Sequence, residues 1–166
     1  NDLGNLAQRS LTMINRQLAG TLPKPAAFSE NDKAILAAAD AMIGAAREHM
    51  KTQQLHQVLN TVWAVVADAN RYFAGEAPWA LAKTDPARQA TVLYVTAEVL
   101  RQVGILAQPF IPASAAKLLD FLGVPPSERQ FDRLEGANTR IAAGTKLPAP
   151  VPVFPRYVEP DDAARA

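Results

Sequence analysis

Residues 52–75 read TQQLHQVLNTVWAVVADANRYFAG, and the spacing of their apolar side chains decides the fold class. Leu55, Val58, Leu59, Val62, Val66, Ala69 and Phe73 recur at steps of three and four, the period of one helix face and not the alternation of a strand. Thr52 is a capping residue type ahead of that stripe, and Gly75 stands where such a helix stops. Trp63 sits inside the helix beside the stripe and is expected in the core. A stripe this broad must be buried against neighbours, so the rest of the chain has to supply them.

It does so on both sides. Leu3, Ala7, Leu11, Ile14 and Leu18 form one face of a first helix, with Asn5, Arg9, Thr12 and Arg16 opposite; Gly20, Pro23 and Pro25 end it. A second helix is expected to start at Asn31 or Asp32 and to run through Ile35, Ala39, Met42 and Ala46 to about Met50. After Pro78 and Trp79 comes a short connection to Lys83 with a turn of helix. Asp85 then caps a long helix whose first position is Pro86, running through Val92, Val95, Thr96, Val99, Val103 and Leu106. A shorter helix spans Ile111 or Pro112 to Leu122, stopped by Gly123, and a helical turn follows Ser127. The expectation is an all-α, antiparallel bundle of about five helices over residues 1–135. Of the 13 prolines none lies between Pro25 and Pro78, while Pro148, Pro150, Pro152, Pro155 and Pro160 crowd the end. Proline is costly inside a helix, so 136–166 is expected to be an extended tail, with Thr139 to Ala143 and Pro150 to Tyr157 pairing or lying along the surface.

Composition narrows the function classes. The 166 residues are 49% hydrophobic and 20% charged, with 17 Lys+Arg against 16 Asp+Glu and a net charge of +1. That balance excludes a histone-like polycation but leaves room for a local basic face. The lack of cysteine removes disulfide scaffolds, cysteine-ligated zinc, thiol nucleophiles and iron–sulfur clusters. No uninterrupted apolar run reaches membrane-spanning length and the start lacks a signal-peptide core, so the expected compartment is the cytoplasm, with no membrane partner. The chain begins at Asn1, already inside a helical pattern, which predicts a piece of a larger protein.

Catalytic constellations are missing from the sequence. Gly144, Thr145 and Lys146 lack the upstream glycine and following helix of a phosphate loop. His49 and His56 have no carboxylate at ligand spacing and read as surface histidines rather than a metal site. Asp161 and Asp162 read as a solvated end, and no catalytic residue or metal site is assigned. Three features look like binding instead. Asn5 and Arg9, four apart, project side by side and together offer several donors and one acceptor, enough to read a base edge or grip a phosphate; a plain solvated face has the same pattern. Asn70, Arg71 and Tyr72 lead to Trp79, which is either a core plug or an exposed platform for an unpaired base. The stretch from Arg140 to Arg156, with Lys146 between, carries no acid and could meet phosphate or dock on another domain.

These segments resemble a known family. Asn1-Asp2-Leu3-Gly4 with Asn5-Leu6-Ala7-Gln8-Arg9 is similar to the first anticodon-domain helix of bacterial methionyl-tRNA synthetases, which are class I enzymes. So are Asn70-Arg71-Tyr72 running into Ala77-Pro78-Trp79-Ala80-Leu81-Ala82-Lys83, Pro109-Phe110-Ile111-Pro112, and Phe154-Pro155-Arg156. The resemblance implies a helical anticodon-binding domain that follows a Rossmann-type catalytic domain and reads the CAU anticodon of methionine tRNAs, with no DNA partner. It implies anticodon contacts at Asn5, Arg9 and Trp79, the last stacking on a base, and supporting roles for Asn70 and Tyr72. In the family the Phe154 to Tyr157 segment packs back toward the catalytic domain, so the tail is expected to pack on the bundle or on its own catalytic domain. The HIGH and KMSKS motifs and the zinc-binding insertion are not in these residues. The ATP and methionine sites of the ligase would therefore lie elsewhere, with no cofactor in this fragment. The competing readings are the equivalent bundle of an isoleucine, leucine or valine synthetase, and a helical bundle serving protein interaction or structure.

Overall fold

The computed structural model describes residues 2–135 and 139–155. Six α-helices follow in order: α1 Asp2–Gln17, α2 Glu30–Lys51, α3 Leu55–Glu76, α4 Pro78–Thr84, α5 Pro86–Ala107 and α6 Pro112–Phe121. Two 3-10 turns, Pro126–Glu128 and Phe131–Leu134, continue the chain. No strand occurs among the described residues, so the all-α expectation holds.

Local chemistry sets most helix ends. Ser29 and Asp32 form a capping box, the Ser29 hydroxyl accepting from the Asp32 amide and the Asp32 carboxylate from the Ser29 amide, so α2 starts at Glu30, earlier than expected. Asp85 accepts from the Arg88 amide at 2.9 Å ahead of Pro86, as the sequence indicates. Thr52 ends α2 instead of capping α3, which starts at Leu55 after Gln53 has turned the chain with φ 57°. The α3 helix passes Gly75 and stops at Ala77, whose φ of 44° and ψ of 56° are left-handed.

The core is organised around α5, which packs against each of the other five helices. Gln89 and every residue from Thr91 to Ala107 are buried. This is also the one described helix long and apolar enough to cross a membrane, but 94% of its apolar window is buried inside the bundle. Gly104 allows α6 to approach closely, since a Cβ there would lie 3.1 Å from Leu119. Its buried polar groups are paired: Glu98 accepts from Arg101, Gln102 and the Ile141 amide.

Residues 139–155 are non-helical. They form no strand pair beyond one antiparallel bridge between Thr21 and Lys146, flanked by hydrogen bonds of the Leu22 backbone with Gly144 and Thr145. Ile141, Leu147 and Val153 are buried in the core, and Tyr94 donates to the Ile141 carbonyl at 2.8 Å. Arg140 pairs with Asp40 and Glu98, and Lys146 donates to Thr21, so these two cations engage the bundle itself. Arg156, Tyr157, Asp161 and Asp162 lie outside the described residues.

Candidate nucleic-acid interface

The corner between α3 and α4 positions the principal aromatic. Ala77 serves at once as C-cap of α3 and N-cap of α4, and Pro78 occupies the first turn of α4. The left-handed residue folds α4 back so that Trp79 meets Phe73, six positions earlier, with ring centroids 5.9 Å apart and planes at 57°. Phe73 is 1% exposed and Trp79 is 48% exposed. The indole therefore stands on a buried phenyl ring and keeps nearly half its surface open.

Helix α1 closes the group from the side. The Arg9 guanidinium carbon lies 5.0 Å from the Trp79 ring and 5.1 Å from the Phe73 ring. Both are within cation–π range, and Arg9 makes no ion pair among the described residues. Gln8, Arg9, Thr12, Met13 and Trp79 line a shallow depression of about 360 Å³. Asn5, exposed, lies one turn before Arg9 on the same face. The α4 end is fixed to the bundle by Gln89, whose Nε2 donates to the Pro78 carbonyl at 3.0 Å and to Gln17 Oε1 at 2.5 Å.

The structure thus brings Arg9 and Trp79 into contact with Asn5 beside them, and the open choice for Trp79 resolves as a half-exposed ring. Asn70 donates to the Val66 carbonyl at 2.9 Å and to the Asp2 carbonyl at 3.4 Å, tying α3 to the start of α1. Tyr72 turns away from this group. Its hydroxyl donates to Asp32 Oδ1 at 2.6 Å, and Arg88 donates to both oxygens of the same carboxylate while pairing with Glu76. Burial alone would raise the Asp32 pKa, but the hydrogen bonds from Arg88, Tyr72 and Ser29 outweigh it and hold the carboxyl below the usual range. Burial, then the bond to Asp32, pushes the Tyr72 hydroxyl well above its ordinary value.

Trp63 corrects a sequence expectation: it is 39% exposed and not in the core. The buried side of α3 runs through Val62, Val65 and Val66, and Trp63 stands about 100° round from Val62, on the flank. Conversely, Phe73 reads in the sequence only as part of the stripe. Nothing in its spacing signals that a left-handed alanine four residues later will fold Trp79 onto it.

A half-exposed indole on α4 beside a guanidinium and an amide on α1 gives this helical bundle a surface chemically suited to stacking and hydrogen bonding. Comparison with known proteins gives the family. The model of the family described as the anticodon binding domain of methionyl tRNA ligase matches residues 22–165, and the chain belongs to that family. That match includes Trp79 and starts after α1. Among curated proteins, the methionine–tRNA ligase of Brucella suis is 64% identical over 162 residues, covering 98% of this chain and 31% of that protein. The methionine–tRNA ligase of Rhizobium meliloti is 56% identical, covering 97% of the chain and 31% of that protein. The crystal structure of free Mycobacterium tuberculosis methionyl-tRNA synthetase superposes with TM-score 0.91 at 44% identity, over 96% of this chain and 32% of that one. The chain therefore spans about a third of the length of the relatives it matches.

Proposed function

We propose that this anticodon-binding domain reads the CAU anticodon of methionine tRNAs as part of a cytoplasmic methionine–tRNA ligase. That ligase joins methionine to tRNA at the expense of ATP, with the ATP and methionine sites in a catalytic domain outside this sequence. The observation that carries the reading is the Trp79 indole, half exposed and braced by Phe73 and Arg9 in a domain of this family.

In this reading one splayed anticodon base stacks on Trp79, while Arg9 and Asn5 offer donors and an acceptor to its edge. A wrong base leaves those groups unpaired, which is the source of discrimination. Asn70 supports the site by holding the start of α1 to α3. The support from Tyr72 is indirect, through the Asp32 and Arg88 cluster that fixes α3 against α2 and α5. The test is binding of fluorescent anticodon stem-loops, CAU against loops with one base changed, at moderate salt. Equal binding of all loops would remove specific reading and favour a protein-interaction bundle.

A further inference from the structure

Gln8, which lines the depression beside Trp79 and Arg9, carries a buried polar atom without a partner. The Gln8 amide is held by its Nε2, which donates to Thr12 Oγ1 at 3.2 Å. Its Oε1 is buried, and among the described side chains it is the buried polar atom without a hydrogen-bond partner. Buried acceptors are nearly always satisfied in native proteins, and leaving one bare costs free energy, so the site favours any donor that reaches it. Gln8 stands immediately before Arg9 in α1 and four residues before Thr12, and all three line the same hollow against Trp79.

We infer that Gln8 is a specificity-determining residue whose Oε1 accepts a hydrogen bond from the exocyclic amino group of the base stacked on Trp79. The inference rests on the anticodon reading above and adds a residue to it. Stacking by Trp79 is tolerant of base identity, because every base has a π face. Arg9 only donates, so it meets ring nitrogens and carbonyls. Asn5 carries one acceptor a turn away, and Gln8 supplies a second, next to Arg9 and beside the indole. Cytosine and adenine each present an amino group next to a ring acceptor; uracil, held in the same stack, presents a carbonyl where they present the amine. Oxygen would then face oxygen, and Gln8 would remain unpaired. Engagement turns the amide into the hollow about its terminal torsion, which has broad preferences, and exchanges the Nε2 bond to Thr12 for the bond from the base. The base so read is therefore the cytosine or the adenine of CAU.

Three stem-loops separate the two: CAU, the loop with uracil in place of cytosine, and the loop with unsubstituted purine in place of adenine. Affinities are measured by anisotropy on the intact protein that carries this chain, unaltered and as Gln8→Met, Gln8→Glu and Trp79→Ala, with circular dichroism recorded for each. The unaltered protein is expected to prefer CAU over one of the two changed loops by about tenfold or more. Gln8→Met should shrink that one preference to about twofold by weakening CAU while leaving the changed loop as it was. Gln8→Glu, which keeps an acceptor, should retain most of the preference. A Gln8→Met protein that keeps the full preference, or that loses affinity for all three loops alike, overturns the inference. A different result marks failure of the anticodon reading itself: the unaltered protein binds all loops equally and Trp79→Ala changes nothing.

Discussion

The guanidinium carbon of Arg9 lies 5.0 Å from the ring of Trp79, so a cation from the first helix and an indole from the fourth form one surface. Neither side chain is in the core, and the contact exists only because Phe73 and the α3–α4 corner hold the indole in place. In the proposed reading this pairing holds the Arg9 donors beside the indole before RNA arrives, which would lower the ordering cost of binding.

Trp79→Ala should weaken binding of the CAU stem-loop by about 1–3 kcal/mol, roughly fivefold to more than a hundredfold, the range for loss of one base–aromatic stack. Because nearly half of the indole is exposed, the melting temperature should fall by only a few degrees. Titration and thermal denaturation of the same preparation separate the two effects. Collapse of the helical signal would instead make Trp79 a structural residue.

Replacing the ring beneath gives the opposite pattern. Phe73→Ala should cost about 3–5 kcal/mol of stability, as expected for a fully buried phenyl group, and Phe73→Leu about 1–2 kcal/mol. The leucine variant should stay folded yet bind the stem-loop several-fold less well, since Trp79 loses its support. Chemical denaturation with stem-loop titration checks both.

Ala77 should tolerate glycine and resist valine. An L-residue with φ 44° is strained, and a β-branched side chain more so. Ala77→Gly is expected to be neutral or stabilising by up to about 1 kcal/mol, and Ala77→Val to destabilise by about 1–2 kcal/mol, read from urea midpoints.

Acid should loosen the junction of α2, α3 and α5 in a defined window. The Asp32 carboxyl titrates lower in the folded protein than in the unfolded chain, where its value is about 3.9. Its contribution is therefore complete only above about pH 5, begins to fall near the unfolded value and is lost as pH falls through the lower folded value. Asp32→Asn should cost about 1.5–3 kcal/mol at neutral pH, the range for hydrogen bonds to a charged group. It should also flatten the fall in stability below about pH 5. Urea unfolding of both proteins between pH 2 and 7 tests the sign.

Binding should depend only mildly on salt. Arg9 is the cation in contact with Trp79, and Arg140 is ion-paired within the bundle, so the proposed site neutralises few phosphates. The logarithm of affinity for the stem-loop against the logarithm of salt should slope between about −0.7 and −2, one to three phosphates' worth for single-stranded RNA. A much steeper slope would mean that the domain carries an extensive phosphate track.

The helices themselves were legible because their causes are local. The apolar period of Val58, Val62, Val66, Ala69 and Phe73, and the Asp85-Pro86 start of α5, act within a turn or two of chain. Asn5 and Arg9 share a face for the same reason. Thr52 and Gly75 misled by a few residues, because several positions near a helix end can serve as its boundary and packing chooses among them. Trp63 misled more, since a residue on the flank of a stripe is buried only if another element happens to cover it.

What tertiary structure alone decided is which distant residues meet. That α5 would be buried on all sides follows from where the other five helices lie around it. That Phe73 would carry Trp79, that Arg9 would lie over both, and that Gln8 would be left with an unpaired oxygen beside them depend on the left-handed turn at Ala77 and the docking of α1 against α3 and α5. The sequence by itself determined the helices, their faces and the family resemblance, through short-range periodicity and motif. The site's geometry came from contacts between separate elements, which no local spacing encodes.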